Sequence, residues 1–178
     1  MMNKSSTILI LFLGISIIPG FQSVGYAQNG NELFTIYLVR HSEKDLTSNN
    51  GGDPPLTQCG AERSKHLSSF LSHVHLDAVY TDYTRTKNTA LPTASSKGLE
   101  SQEYSPQGLE GFAKLLIERK QDVLVVGHSN TTGVLAGILV GEELADIDLD
   151  IYNRVYQVVI HDKGGRLHLF HTSFDCTD

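Results

Sequence analysis

Three short segments carry residue types suited to handling a phosphoryl group: Arg40-His41-Ser42-Glu43-Lys44, Thr81-Asp82-Tyr83-Thr84-Arg85 and Gly127-His128-Ser129-Asn130-Thr131. The two arginines offer forked N–H donors that match phosphate oxygens. The two histidines offer a nucleophile or base and one further donor. A neutral imidazole can attack phosphorus and form a covalent phosphohistidine. Cationic neighbours neutralise the charge on the equatorial oxygens in the transition state. The same neighbours lower the pKa of the attacking imidazole and so keep it neutral. A carboxylic acid is then needed to protonate the leaving oxygen before water hydrolyses the intermediate. His41 is the candidate nucleophile, with Arg40, Arg85 and His128 around it.

These residues act together only if the fold brings them together. Each segment follows a short apolar run. Leu33 to Val39 reads as a strand buried on both faces, Asp122 to Val126 as a buried strand, and Asp77 to Tyr80 and Ser101 to Tyr104 as short strands. Between them lie stretches of helical period. Leu67, Phe70, Leu71 and Val74 mark one apolar face of a helix starting near Thr57, and Leu109, Phe112, Ala113 and Leu116 mark another. Val134, Leu135, Ile138 and Leu139 point inward from a helix after Gly127, and a further helix begins at Thr81 or Asp82, to be kinked or shortened by Pro92. Arg154 to Ile160 and Arg166 to Phe170 form a terminal hairpin about Asp162-Lys163-Gly164-Gly165. Strands alternating with helices predict an α/β three-layer sandwich: a mostly parallel central sheet, helices on both faces and a C-terminal antiparallel hairpin. Ligands in such sheets sit beyond the carboxyl ends of the strands, which is where the three segments fall.

The chain has 178 residues, 40% apolar and 19% charged, enough for one domain. Its formal charge of −6 excludes a basic nucleic-acid surface. Residues 1–27 have the plan of a secretory signal: Lys4, the apolar run Thr7 to Ile18, then Gly25-Tyr26-Ala27 before a cleavage point. The apolar run is shorter than the ~20 residues that span a bilayer. The expectation is an exported protein, periplasmic or secreted, with no stable membrane association once the signal is removed. Residues 28–178 then form the catalytic domain. Export makes Cys59 and Cys176 a possible disulfide, with two free thiols as the alternative. Neither the cysteines nor His73, His75, His168 and His171 stand in a metal-ligand set, so no metal and no cofactor is expected.

Taken in order, the motifs resemble those of the histidine phosphatase (phosphoglycerate mutase-like) superfamily. Leu38-Val39-Arg40-His41 resembles its Arg-His-Gly signature after the first strand, with Ser42 in place of the usual glycine. Leu56-Thr57-Gln58-Cys59-Gly60 resembles its Leu-Thr-x-x-Gly helix start. Thr81-x-x-x-Arg85-x-x-x-Thr89-Ala90 resembles the second-arginine segment, and Val125-Val126-Gly127-His128 the second-histidine segment. The nearest likeness is to the short, exported branch without a cap domain and to small phosphohistidine phosphatases. The resemblance implies a phosphatase that passes through phosphohistidine on His41, with Arg40, Arg85 and His128 as the phosphate cradle. Its proton donor is not evident. Relatives often carry an acid before the proline that here follows Ser105, and Glu43, Asp53, Glu103 and Glu110 are the carboxylates to consider.

Two rivals have different chemistry. In a serine esterase, Ser129 would be the nucleophile, Asp146, Asp148 or Asp150 the acid, and His161 or His168 the base. That reading leaves Arg40, His41 and Arg85 without a role. A phosphate-binding pseudo-enzyme would need no nucleophile at His41. A mutase would be expected to carry longer insertions. The implied partner is a small phosphate ester or a phosphoprotein; the natural substrate and the oligomeric state are not encoded in these motifs.

Overall fold

The computed structural model describes residues 33–162 and 164–176, so the expected signal segment lies outside the described residues. Among the described residues, six strands form one sheet. In chain order they are β1 (Phe34–Arg40), β2 (Ala78–Thr81), β3 (Ser101–Glu103), β4 (Val123–Gly127), β5 (Arg154–His161) and β6 (Gly164–His171). The spatial order is β3-β2-β4-β1-β5-β6. The first four strands run parallel, while β5 is antiparallel to β1 and β6 to β5. This is the predicted mixed α/β architecture, with the terminal hairpin continuing the sheet.

Among the described residues four helices cover it: α1 (Gln58–Phe70), α2 (Thr84–Lys97), α3 (Leu109–Arg119) and α4 (Thr132–Val140). Alternate residues of β1 show the layering. Phe34, Ile36 and Leu38 enter a core with Phe112 and Leu116 of α3 and Leu135 and Leu139 of α4. Tyr37 and Val39 enter a second core with Leu67 of α1 and Ala90 and Ala94 of α2. Every residue of β4 is buried, as a strand flanked by helices on both faces requires. Each fully buried Val, Leu or Ile contributes about 1.5–3 kcal/mol.

Thr57 caps α1, its hydroxyl accepting from the Gly60 amide at 3.0 Å. Gly60 itself lies against the Glu43 backbone, where any Cβ would collide with the Glu43 carbonyl. The Leu-Thr-x-x-Gly segment thereby seats the start of α1 on the chain just after His41.

Several expectations need correction. Phe70 and Ile138 are exposed, at 42% and 36%. The first helix ends at Phe70, so the apolar period carried on to Val74 runs past its end. α2 begins at Thr84, not at Thr81 or Asp82, and runs unbroken through Pro92 to Lys97. Cys59 and Cys176 are joined as a disulfide, which brings the C-terminal segment onto α1. Arg63 of α1 holds the same segment, donating to the Phe174 carbonyl at 2.9 Å. Among the described residues, no helix is long and apolar enough to cross a membrane.

Candidate active site

Strand order explains the convergence. β4 lies between β2 and β1, so the residues that follow these three strands come out side by side. Arg40 is paired with Gly127, and the His41 amide donates to the Gly127 carbonyl at 2.9 Å. The two imidazoles that follow, His41 and His128, have centroids 5.4 Å apart and planes inclined at 65°. From the other side of β4, the first turn of α2 brings Arg85 to His128, with Nη2 3.2 Å from Nδ1.

His41 is buried, and its Nδ1 lies 2.7 Å from the Ser42 carbonyl oxygen. A carbonyl only accepts, so Nδ1 carries the proton and Nε2 keeps a free lone pair. Burial is the main force that drives the His41 pKa down from 6.5 to about 3. Arg40, His128 and Arg85 add to the effect, and the Ser42 bond only partly opposes it. The result is a neutral imidazole with its attacking nitrogen defined. Ser42, where glycine was the usual residue, is accommodated: its amide donates to Thr89 Oγ1 at 2.9 Å and its hydroxyl lies 3.1 Å from that of Ser64.

The low pKa has a consequence for stability. The unfolded chain protonates this group near 6.5, whereas the folded chain resists protonation until about 3. Its contribution is complete above pH 6.5 and is lost as pH falls through that window. The loss is about 5 kcal/mol over the whole window, of which about 3 kcal/mol falls between pH 7 and pH 4. Urea titrations at pH 7 and pH 4 should show that loss in the wild type and a flatter dependence in His41→Ala. Equal slopes would mean that His41 is not held neutral by its surroundings.

Arg85 is set by Asp53, from the loop after β1. The Arg85 Nη1 to Asp53 Oδ1 distance is 2.9 Å, and the same carboxylate accepts from the Thr84 and Arg85 amides at 2.8 and 3.3 Å. Burial alone would raise the Asp53 pKa, but these bonds outweigh it and hold the carboxyl below its ordinary range. Asp53 therefore caps α2 and orients the arginine.

Arg40 departs from the expected fork. Its Nη1 lies within 3.1 Å of the carbonyls of Asp148, Leu149 and Ile151, and Nη2 donates to Tyr152 Oη at 3.3 Å. The guanidinium stacks on the Tyr152 ring at 4.0 Å. Arg40 thus fastens the segment before β5 beside the site, and much of its donor capacity is used there. The Tyr152 ring lies 6.4 Å from that of His41.

None of the four carboxylates considered as proton donors stands free at His41. Glu43 pairs with Arg63, Asp53 with Arg85, and exposed Glu103 with Lys87. Glu110 is exposed on the first turn of α3. Ser105 bonds to Gln107 instead. The carboxylate that does reach the site is Asp82, whose Oδ2 lies 2.7 Å from His128 Nε2. It stands in the quoted Thr81–Arg85 segment, but a helix cap was the role expected of it. Tyr83 was also missed; its ring lies 5.3 Å from that of His128 and 4.7 Å from the Arg85 guanidinium. The esterase constellation is not assembled. His161 ends β5 beside the start of β1, at the opposite end of the sheet from Ser129, and His168 sits on the edge strand β6.

A buried imidazole with an unprotonated Nε2, beside an arginine and a second histidine at the carboxyl ends of parallel strands, can present a neutral nucleophile to an anionic group. The model of the histidine phosphatase superfamily (branch 1) matches residues 36–106. The matched stretch contains Arg40, His41 and Arg85; His128 lies beyond it. Comparison with curated proteins gives no match. Among solved structures, the alpha-ribazole phosphatase from Shigella flexneri superposes with a TM-score of 0.65 at 18% identity, over 82% of this chain and 100% of its own. The protein histidine phosphatase SixA, solved with tungstate, gives 0.64 at 18% identity over 78% and 97%. Phosphoglycerate mutase from Bacillus anthracis gives 0.58 at 16% identity over 78% and 92%. At these identities the likeness is one of fold.

Proposed function

We propose that this phosphatase hydrolyses phosphate monoesters through a phosphohistidine on His41. The observation that carries the reading is the hydrogen bond from His41 Nδ1 to the Ser42 carbonyl, because it leaves Nε2 unprotonated in a site lined with cationic side chains. Nε2 attacks phosphorus, the ester oxygen leaves, and water releases orthophosphate from the nitrogen. Arg85 and His128 contact the phosphoryl oxygens. Arg40 adds positive charge and its Nη2 edge, since Nη1 already serves the 148–151 carbonyls. The likeness to a protein histidine phosphatase that binds the oxyanion tungstate supports the same pocket assignment. A small phosphate ester or a phosphoprotein is the substrate class. The disulfide, which belongs to oxidising compartments, supports action outside the cytoplasm.

The test is to trap the intermediate. The protein is mixed with a radiolabelled aryl phosphate in the presence of chelator and denatured within milliseconds. The expected adduct is labile in acid, stable in base and located on His41. A label stable in acid, or one on Ser129, would overturn the mechanism.

A further inference from the structure

The phosphatase reading leaves the proton for the leaving group without a source, and the geometry around His128 supplies one. His128 Nε2 faces Asp82 Oδ2 at 2.7 Å. His128 Nδ1 faces Arg85 Nη2 at 3.2 Å. A guanidinium only donates, so Nδ1 is unprotonated here and Nε2 bears the hydrogen. Asp82 is fixed in turn: its Oδ1 accepts from the Tyr83 amide and the Thr86 hydroxyl, each at 2.9 Å. Its side chain is 4% exposed and that of His128 is 10% exposed. The other groups facing the imidazole are His41 across the pocket and Tyr83 at its edge. Asp82 is the only carboxylate with an ion pair to His128 among the described residues.

Resting on the phosphohistidine reading, we propose that Asp82 and His128 form the proton-delivering dyad of this enzyme, with Asp82 the positioning residue and His128 the general acid. An incoming phosphate dianion draws the Arg85 guanidinium from Nδ1 to its own oxygens. The vacated Nδ1 takes a proton from solvent, and Asp82 balances the imidazolium through Nε2–H. As the His41 Nε2–P bond forms and the P–O ester bond breaks, the Nδ1 proton passes to the departing oxygen and an alcohol or phenol leaves. His128 is then neutral and accepts a proton from the attacking water. The P–N bond breaks, orthophosphate departs and His128 is protonated again. One water is consumed and each proton is accounted for.

Two supporting features stand apart from this geometry. Burial pushes the Asp82 carboxyl upward, but the His128 contact and the bonds from Tyr83 and Thr86 outweigh it and hold it below its ordinary range. Asp82 is therefore an anion at working pH, able to stabilise an imidazolium and unable to donate a proton itself. Burial of the pair also strengthens its charge interaction relative to a surface pair. Asp–His pairing of this kind both orients the ring and favours the protonated state, the two properties a histidine acid requires.

The experiment pairs kinetics with a direct view of the ring. Wild type, Asp82→Asn and Asp82→Glu are assayed on aryl phosphates from dinitrophenyl to unsubstituted phenyl. Asp82→Asn is expected to lose about 100-fold in kcat/KM on phenyl phosphate and less than about 5-fold on dinitrophenyl phosphate, whose leaving group needs no proton. Asp82→Glu should recover part of the loss on phenyl phosphate. A loss that is the same across the series, or no loss, overturns the dyad. Independently of any variant, 15N spectra of the wild type should show His128 moving from one protonated nitrogen to two on addition of inorganic phosphate. A His128 that stays singly protonated in the phosphate complex also overturns it. These failures differ from failure of the phosphohistidine reading, which would appear as an enzyme that forms no label on His41.

Discussion

Replacing His41 with alanine is expected to reduce phosphate release by at least about 10⁴-fold, since the covalent path depends on one nitrogen and removing a nucleophile commonly costs that much or more. The fold should survive. The side chain follows the last residue of β1 and contributes no apolar surface to either core. Its removal leaves the Ser42 carbonyl without a partner, a cost of about 1–3 kcal/mol. Circular dichroism and thermal melting should therefore resemble the wild type at pH 7 while turnover is lost. Turnover within tenfold of the wild type would move the nucleophile elsewhere and end the mechanism.

Loss of the Cys59–Cys176 disulfide is expected to have the largest effect on stability. The cysteines are 117 positions apart, and closing so long a loop restricts the unfolded chain severely. The loop-entropy account gives about 4–5 kcal/mol, and removal of native disulfides typically costs 2–5. At about 2–4 °C per kcal/mol for a domain of this size, the midpoint should fall by roughly 10 °C. The double variant Cys59→Ser, Cys176→Ser should melt at that lower temperature with or without dithiothreitol, and the wild type only with it. Coincident wild-type curves in the two buffers would mean that the bridge does not form. The bridge closes beside the site, since Glu43, two residues after His41, pairs with the Arg63 that holds the Phe174 carbonyl. A loss of activity that accompanies reduction at temperatures below the transition would place the C-terminal segment among the supports of the His41 loop.

The sequence made the principal site residues legible because each stands directly beyond an apolar strand, a position at which parallel sheets collect ligands. The fold brings His41, Arg85 and His128 together. What could not be read was the order of strands. β4 inserts between β1 and β2, and only that placement brings Arg85 against His128. Asp82 was hidden by its own neighbourhood. At the end of a strand and before a helix, an aspartate reads as a cap, and here its Oδ1 does bond to Tyr83 and Thr86; its other oxygen meets a histidine 46 positions away. The resemblance to relatives directed attention to the segment after β3, where the carboxylates face solvent. Arg40 shows the converse limit. Its residue type promised a fork for phosphate, but no local pattern announces that backbone carbonyls more than a hundred positions later will take up Nη1. Apolar periodicity overreached at Phe70 and Ile138, since it marks the helix face without marking how far the neighbouring element extends to cover it.

The central position of β1 governs when the enzyme can come into being. Among the described residues this strand comes first in the chain, yet its sheet partners begin only at Val123 and Arg154. Until then the Phe34–Val39 run has two open edges and no native neighbour. Contacts so distant along the chain slow folding and prolong the exposure of sticky intermediates. The pocket cannot mature piecemeal: more than eighty residues separate His41, at the end of β1, from the His128 that lies beside it. A chain interrupted ahead of β5 would present a bare strand edge, a template for aggregation. The site is complete only once residues 148–152, which hold the Arg40 guanidinium, are also in place.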